Sequence, residues 1–199
     1  MFYPTKEAAR MVANPDPRTL NILGAFGLLV ADRVFAAIDR TEILSRQEGV
    51  ALVQIGLFSP GFTNLQTTLC LSQSAASRLV DRLAARGLTL KSAHPEDPRE
   101  KILTLTSRGA ELMRDILEQR RAALGELLAP LDSGETADLL RLTAKVLAGS
   151  IRSQAESDLT CRMCDLGKCP QENCPARHNS ERPAAVTPLA PRRLPAHLL

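Results

Sequence analysis

The sequence predicts a mainly α-helical protein that carries one small β-hairpin, and three observations predict this fold class. Aromatic residues make up only 3% of the 199 residues and tryptophan is absent, so the core must be built from aliphatic side chains, which favours helices. In most of the chain, apolar residues recur at helical spacing, and residues that typically cap helices precede these segments. Only residues 88–92 and 101–106 alternate polar and apolar side chains as strands do.

Composition and charge restrict the class of protein. Apolar residues account for 44% and charged residues for 24% of the chain, which excludes wholesale disorder. The longest apolar run, residues 22–31, is stopped by Asp32 and Arg33 and is predicted to be too short to span a bilayer. Because the N-terminus also lacks the pattern of a secretory signal, we expect a cytoplasmic protein that does not bind a membrane.

The first predicted helix indicates an oligomer. Residues 1–16, with Pro4 and Pro15, are predicted to form a flexible arm, and a helix is predicted from Thr19 to Arg40. Its first half is apolar on nearly all sides, so it must be covered all round, which a domain this small can hardly do alone. We therefore expect it to be buried against a second subunit. A second, short helix is predicted over residues 48–57.

Two further helices with a tight turn between them come next. Ser59-Pro60 is typical of a helix start, and this helix is predicted to end near Leu69. Ser72 is predicted to cap a fourth helix that runs to about Arg86 and is stopped by Gly87. One side of this helix is apolar: Ala76, Leu79, Val80 and Leu83. The other side is polar: Gln73, Ser74, Ser77, Arg78 and Arg82.

The predicted hairpin has a charged tip, residues 93–99, and is followed by two long helices. The first is predicted over residues 108–129. The second is predicted from the capping-box pattern at Asp132 and Glu135 to about Glu156. The last stretch, residues 179–199, is rich in proline and is predicted to be disordered.

Helix, turn, helix and hairpin in this order form a winged helix-turn-helix, whose second helix can enter the major groove of DNA. Its polar side chains suit contacts to base edges and phosphates. Between Ser72 and Arg108 there are seven Lys and Arg against four Asp and Glu, which is a modest basic footprint. Asp81 is predicted to form a salt bridge that orients Arg78 or a residue of the hairpin.

Residues 71–87 and 96–109 resemble the MarR family of bacterial transcription regulators. The resemblance implies a winged helix-turn-helix domain over residues 17–158, with N- and C-terminal dimerisation helices and a DNA-binding core at 45–107. It implies an obligate homodimer, with the helix from Ser72 in the major groove, Arg99 at the wing tip in the minor groove, and Asp97 bracing Arg99. It also implies that a small phenolic or anionic effector, of unknown identity, binds the protein. The chain departs from the family at Pro98, where a second Arg is common, and at Cys70, where Gly is usual.

Four of the five cysteines lie within 14 residues, at Cys161, Cys164, Cys169 and Cys174. Four thiolates fill a tetrahedral site, so residues 159–178 are predicted to hold zinc or an iron–sulfur cluster, with a metal-free thiol switch as the third alternative. We expect this cluster to tune DNA binding through the dimer. Cys70 is instead predicted to pack as a small apolar residue under the fourth helix.

Together these features predict a homodimeric, sequence-specific transcription regulator, of the repressor type, that binds a pseudo-palindromic operator and responds to metal or redox state. The alternative is a metal- or redox-handling protein that uses the winged helix only as an interaction module. An enzyme is disfavoured, since the sequence has no nucleophile–base pair, phosphate loop or zinc-protease pattern.

Overall fold

The computed structural model describes residues 15–93, 101–169 and 174–178, and these residues confirm the predicted fold class. They are mainly helical, and their two strands form an antiparallel sheet that pairs Thr89 with Leu105 and Ala93 with Lys101. In chain order the elements are α1 (Pro17–Asp39), α2 (Arg46–Phe58), α3 (Phe62–Thr68), α4 (Gln73–Ala85), β1 (Thr89–Ala93), β2 (Lys101–Leu105), α5 (Ser107–Leu128), α6 (Ser133–Ser150), α7 (Gln154–Thr160) and α8 (Pro175–His178).

Side-chain caps explain where most helices begin. The Asp16 carboxylate accepts hydrogen bonds from the first turn of α1, and the Thr106 hydroxyl accepts from the backbone of Gly109 in α5. The predicted capping box of Asp132 and Glu135 is present at the start of α6, and Ser45 and Glu48 form a second one on α2. Each cap satisfies backbone N–H groups that have no partner inside the helix. The predicted starts of these helices are confirmed to within two residues.

The predicted helix cap at Ser59 is wrong, although α3 begins only two residues after Pro60. Ser59 has φ 43° and ψ 53°, a left-handed conformation that ends α2, and its N–H donates to Ile55 O at 2.9 Å. The Pro60 carbonyl then accepts from Leu103 N at 3.2 Å, and Gly61 pairs with Ile102. This short stretch extends the hairpin by one backbone pairing, so the chain is extended here and α3 begins only at Phe62.

The single long helix predicted to reach Glu156 is also wrong, because it is divided in two. After α6 ends at Ser150, Ile151 is extended (φ −85°, ψ 123°) and its side chain is buried. Ser153 then caps α7 by accepting a hydrogen bond from Glu156 N at 3.2 Å. The chain thus leaves the conformation of α6 at the buried residue Ile151, and the cap at Ser153 begins α7.

The core lies around α2, whose residues 48–56 are all buried. It is completed by the apolar stripe of α4, by Leu103 of β2 and by Ile116 of α5. Gly109 permits close packing at the start of α5, since a Cβ there would lie 2.0 Å from the carbonyl oxygen of Leu88. Met163, from the segment that carries the cysteines, belongs to this same core.

Helix α1 is largely uncovered within one chain. Leu20, Ile22, Leu23 and Leu28 are 49–71% exposed, although α1 packs along α5. Its most apolar 18-residue window has a mean hydropathy of 1.6, so by length and composition it could cross a membrane. This corrects the prediction from the run of ten apolar residues, because the helix continues past Asp32 and Arg33. Helix α6 likewise has no buried residue within the described part of the chain.

Candidate nucleic-acid interface

The turn between α3 and α4 is closed by a left-handed residue. Cys70 has φ 52°, and its N–H and that of Leu71 donate to the carbonyls of Thr67 and Gln66, each at 3.1 Å. Glycine is usual at such a helix end because a side chain is disfavoured by the left-handed backbone. The prediction that Cys70 packs under the fourth helix is wrong, since its side chain is exposed.

Helix α4 has the two faces that the sequence predicted. Ser72 caps it by accepting a hydrogen bond from Ala75 N at 3.3 Å, and the buried residues are the predicted apolar stripe. Gln73, Ser74 and Arg78 are exposed and Ser77 is half-buried, all in the first half of the helix. Within residues 15–93, 101–169 and 174–178, Arg78 has no hydrogen bond or ion pair. These side chains are therefore available to a ligand that approaches the start of α4.

A buried carboxylate on α2 fixes the second half of α4. Glu48 is 3% exposed, and its oxygens accept from Arg82 Nε at 2.7 Å and Arg86 Nη1 at 3.0 Å. Ser45 N also donates to Glu48, at 2.9 Å. Burial alone raises the pKa of Glu48, but the hydrogen bonds from Arg82, Ser45 and Arg86 outweigh it and lower the pKa to about 2. Arg82 thus holds α4 to α2, while its side chain stays 50% exposed.

A second ion pair joins α4 to the hairpin. Lys91 of β1 donates to the carboxylate of Asp81, and Ser77 Oγ lies 3.5 Å from the same carboxylate. The hydrogen bond from Lys91 lowers the pKa of Asp81. This confirms the predicted salt bridge, with a strand residue of the hairpin as its partner. This exposed ion pair therefore links the helix to the wing.

The four C-terminal thiols lie close together, and all are free and half-buried. The thiols of Cys161 and Cys164 interact by a hydrogen bond, which raises the pKa of Cys161 and lowers that of Cys164. Cys161 and Cys169 also interact with Cys174, and burial raises the pKa of Cys169. Nevertheless, among the described residues no group of three or more His, Cys, Asp or Glu side chains is arranged as it stands to hold a metal ion.

The comparisons with known proteins agree with this geometry. A model of the MarR family matches residues 44–101, which include α2, α3, α4 and β1 and end at the first residue of β2. The solved structure of RV1404 from Mycobacterium tuberculosis is similar to this chain at 31% identity and a TM-score of 0.56, and the alignment covers 66% of this chain and 91% of RV1404. The chain belongs to the MarR family. It is a DNA-binding transcription regulator of the MarR type.

More distant structures show the same fold. The YusO protein of Bacillus subtilis is 18% identical, with a TM-score of 0.56 and coverage of 65% of this chain and 92% of YusO. A point mutant of MepR from S. aureus, solved bound to an oligodeoxyribonucleotide, is 14% identical, with a TM-score of 0.52 and coverage of 66% and 96%. No curated protein matches this chain. About a third of this MarR protein lies outside each of these structural alignments.

The structure locates part of the predicted DNA-contacting set. Arg82 is the exception within α4, because its Nε is engaged by Glu48 rather than free. Arg99 and its predicted support Asp97 lie outside the described residues, so both remain predictions. On either side of residues 94–100, which also lie outside the described part of the chain, Ala93 pairs with Lys101 in the sheet.

Sequence reasoning missed the residues that orient α4 in this MarR protein: Glu48, Arg86 and Lys91. Ser45 and Glu48 have the spacing of a capping box, and this was the available signal for Glu48. That signal predicts a local hydrogen bond and says nothing about a helix 34 residues away.

Proposed function

We propose that this MarR regulator acts as a homodimeric repressor that binds a pseudo-palindromic operator, with α4 of each subunit in a major groove. Gln73, Ser74, Ser77 and Arg78 would contact bases, Arg82 would reach a base or a phosphate with its remaining N–H groups, and Arg99 would enter the minor groove. The observation that carries the proposal is the exposed, polar first half of α4 on a helix that is otherwise fixed by the core, Glu48 and Lys91. A well-anchored helix with exposed polar side chains at its start is what direct readout of bases requires.

The exposed apolar faces support the dimer. Leu140, Leu142 and Val146 of α6 are 51–69% exposed, and α1 exposes its leucines to a similar degree. Exposed apolar surfaces of this extent are rare on soluble monomers. A second copy that contributes its own α1 and α6 would cover both faces, whereas insertion into a membrane would cover only α1. We therefore expect a dimer in the cytoplasm, and fractionation with sedimentation distinguishes it from a membrane-bound chain.

The test of base readout compares Arg78→Ala with a matched control. Duplexes are first selected from a random pool by the protein, and the affinities for the selected and a scrambled duplex are then measured. We expect Arg78→Ala to lose about tenfold or more of its preference for the selected duplex, as for one lost contact to a base. Arg121→Ala is the control, because Arg121 is also exposed and lies on α5, where among the described residues its salt bridge is with Glu118. An equal loss on both duplexes would refute base readout by Arg78.

We further propose that the cysteines make the regulator responsive to metal or to redox state. The proximity of the thiols of Cys161, Cys164, Cys169 and Cys174 supports this, and the same observation favours the alternative of a metal- or redox-handling protein. Zinc and an iron–sulfur cluster both suit four thiolates, and either would require the thiols to move from their present positions. Protein purified without oxygen should contain zinc or be brown; protein that is colourless and metal-free leaves the thiol switch.

The salt dependence of duplex binding separates the regulator from the alternative. Phosphate contacts release counterions and give a steep slope of affinity against salt, whereas a winged helix used only as a protein-interaction module gives none. Binding of metal without any salt-dependent binding of duplex would favour the metal-handling protein.

A further inference from the structure

The segment that carries the cysteines packs against the DNA-binding half of its own chain. Met163, between Cys161 and Cys164, is 4% exposed and belongs to the core that surrounds α2. Helix α7 lies against α3, the first helix of the helix-turn-helix, and α8 lies against α6. The guanidinium of Arg162 also stacks over the ring of Phe35 at 5.8 Å. The cysteines are therefore in contact with the fold that positions α4.

One buried side chain makes the direct connection. Gln54 of α2 is 5% exposed, and its Nε2 donates to the backbone carbonyl of Arg162 at 2.9 Å. Its neighbours Val53 and Ile55 are fully buried. A buried amide is strongly unfavourable without a partner, so the position of the Arg162 carbonyl and that of Gln54 depend on each other. Arg162 in turn lies between the two cysteines that share a hydrogen bond.

The same helix holds α4 at its other end. Glu48 lies six residues before Gln54 on α2, about 9 Å along the axis, and forms the buried ion pairs with Arg82 and Arg86. Helix α2 is buried along both of these positions, and a close-packed interior transmits strain. Gln54 and the carboxylate that orients α4 thus lie on one buried helix.

We propose that Gln54 is the positioning residue through which the state of the cysteines acts on the recognition helix α4 of the same subunit. Binding of a metal to the thiols, their oxidation, or the loss of the contacts between them moves the turn at residues 161–164. The Arg162 carbonyl moves with this turn. The buried amide of Gln54 follows, and α2 passes the change to Arg82 and Arg86. This proposal rests on the proposed function of the cysteines, which is to make the regulator respond to metal or to redox state. It does not require the spacing between the two subunits to change.

The test is a double-mutant cycle read without DNA. Hydrogen exchange of the α4 amides is compared between the unsubstituted protein and the Cys161→Ser/Cys164→Ser variant, and again with Gln54→Met added to each. We expect the cysteine substitutions to speed exchange in α4 by about fivefold or more when Gln54 is present, within the usual range of coupling between sites. When Gln54→Met has removed the amide donor, the same cysteine substitutions should change the exchange less than about twofold.

Gln119→Met is the matched control, because Gln119 of α5 is half-buried and its Oε1 is shielded from solvent but has no partner among the described residues. It should leave the effect of the cysteine substitutions unchanged. If Gln54→Met does not fold, the side-chain amide resonance of Gln54 in the unsubstituted protein gives the same test, since it must shift when the thiols are alkylated. The proposal would be overturned if the cysteine substitutions changed hydrogen exchange in α4 equally with and without Gln54. It would also be overturned if they did not change the exchange of α4 at all.

Affinity for the selected duplex is measured on the same four proteins. If the unsubstituted protein does not bind the duplex although the exchange cycle shows coupling, the proposed function is contradicted and the role of Gln54 stands. If the unsubstituted protein binds the duplex normally and the exchange cycle shows no coupling, the proposed function stands and the role of Gln54 is contradicted. The two proposals therefore fail separately.

Discussion

Replacement of Glu48 by Gln tests how firmly α4 is held to α2. Lowering the pKa of a carboxyl from 4.5 to about 2 corresponds to roughly 3 kcal/mol of stability at neutral pH. Because the side chains of Arg82 and Arg86 are 50% and 39% exposed, water and salt screen part of this interaction. We therefore expect Glu48→Gln to lower the free energy of unfolding by about 2 kcal/mol at pH 7.

The pH dependence gives the sharper form of this prediction. Glu48 titrates near 4.5 in the unfolded chain and near 2 in the folded one, so its contribution is complete above pH 4.5 and is lost as the pH falls towards 2. The stabilities of Glu48→Gln and the unsubstituted protein should converge over that interval. Urea unfolding at a fixed protein concentration measures both, since a dimer's stability depends on concentration.

Glu118→Gln is the control for this experiment. Glu118 is 63% exposed and, within the part of the chain that the structure describes, its salt bridge is with Arg121, so its replacement should change the stability by less than about 0.5 kcal/mol. A stability difference for Glu48→Gln that is equally small at pH 7, or one that stays constant from pH 7 down to pH 2.5, would refute the role assigned to Glu48.

Three further substitutions test the turn, the wing and the dimer. Cys70→Gly should stabilise the protein by about 0.5–1 kcal/mol in thermal unfolding, because φ is 52° there, and Cys70→Ala should not. Asp81→Asn removes the ion pair with Lys91 and should weaken duplex binding about twofold at low salt but not at high salt, since the pair is exposed; an equal loss in high salt would argue against it. Leu28→Glu, at a position 71% exposed in one chain, should yield monomers in sedimentation, whereas Leu90→Glu on the wing should not; dimers from both variants would place the interface elsewhere.

Local signals in the sequence predicted most of the recognition region. Ser72 and Gly87 mark the ends of α4, and the four apolar residues at helical spacing are the ones that the structure buries. Asp132 and Glu135 likewise form the predicted capping box. These predictions succeed because a cap and an amphipathic stripe depend on residues three or four positions apart, which the sequence shows directly.

The errors occur where tertiary contacts override a local pattern. Ser59-Pro60 has the composition of a helix start, but Pro60 instead accepts a hydrogen bond from Leu103 of the wing. The helix predicted to reach Glu156 is interrupted because Ile151 is buried. A helix boundary is predicted from residues close by in the sequence. These residues include neither Leu103 nor the part of the core that buries Ile151.

The contacts that connect the cysteines to α4 could not be predicted either. Gln54 and Arg162 are 108 residues apart in the chain, and Glu48 and Arg82 are 34 apart. A glutamine inside an apolar helix shows that a buried amide needs a partner, but it does not show which carbonyl provides it. The sequence predicts that the cysteines act on DNA binding through the dimer. The contacts of Gln54 and Glu48 offer an alternative path to α4 within one subunit.

The most direct test of DNA recognition is a titration of the selected duplex at several salt concentrations, with the stoichiometry measured on the same samples. Two chains per duplex and a logarithmic salt slope of about −5 or steeper are predicted, as expected for a dimer that contacts six or more phosphates. Binding that does not vary with salt, or the absence of binding at low salt by a folded dimer, would contradict the account.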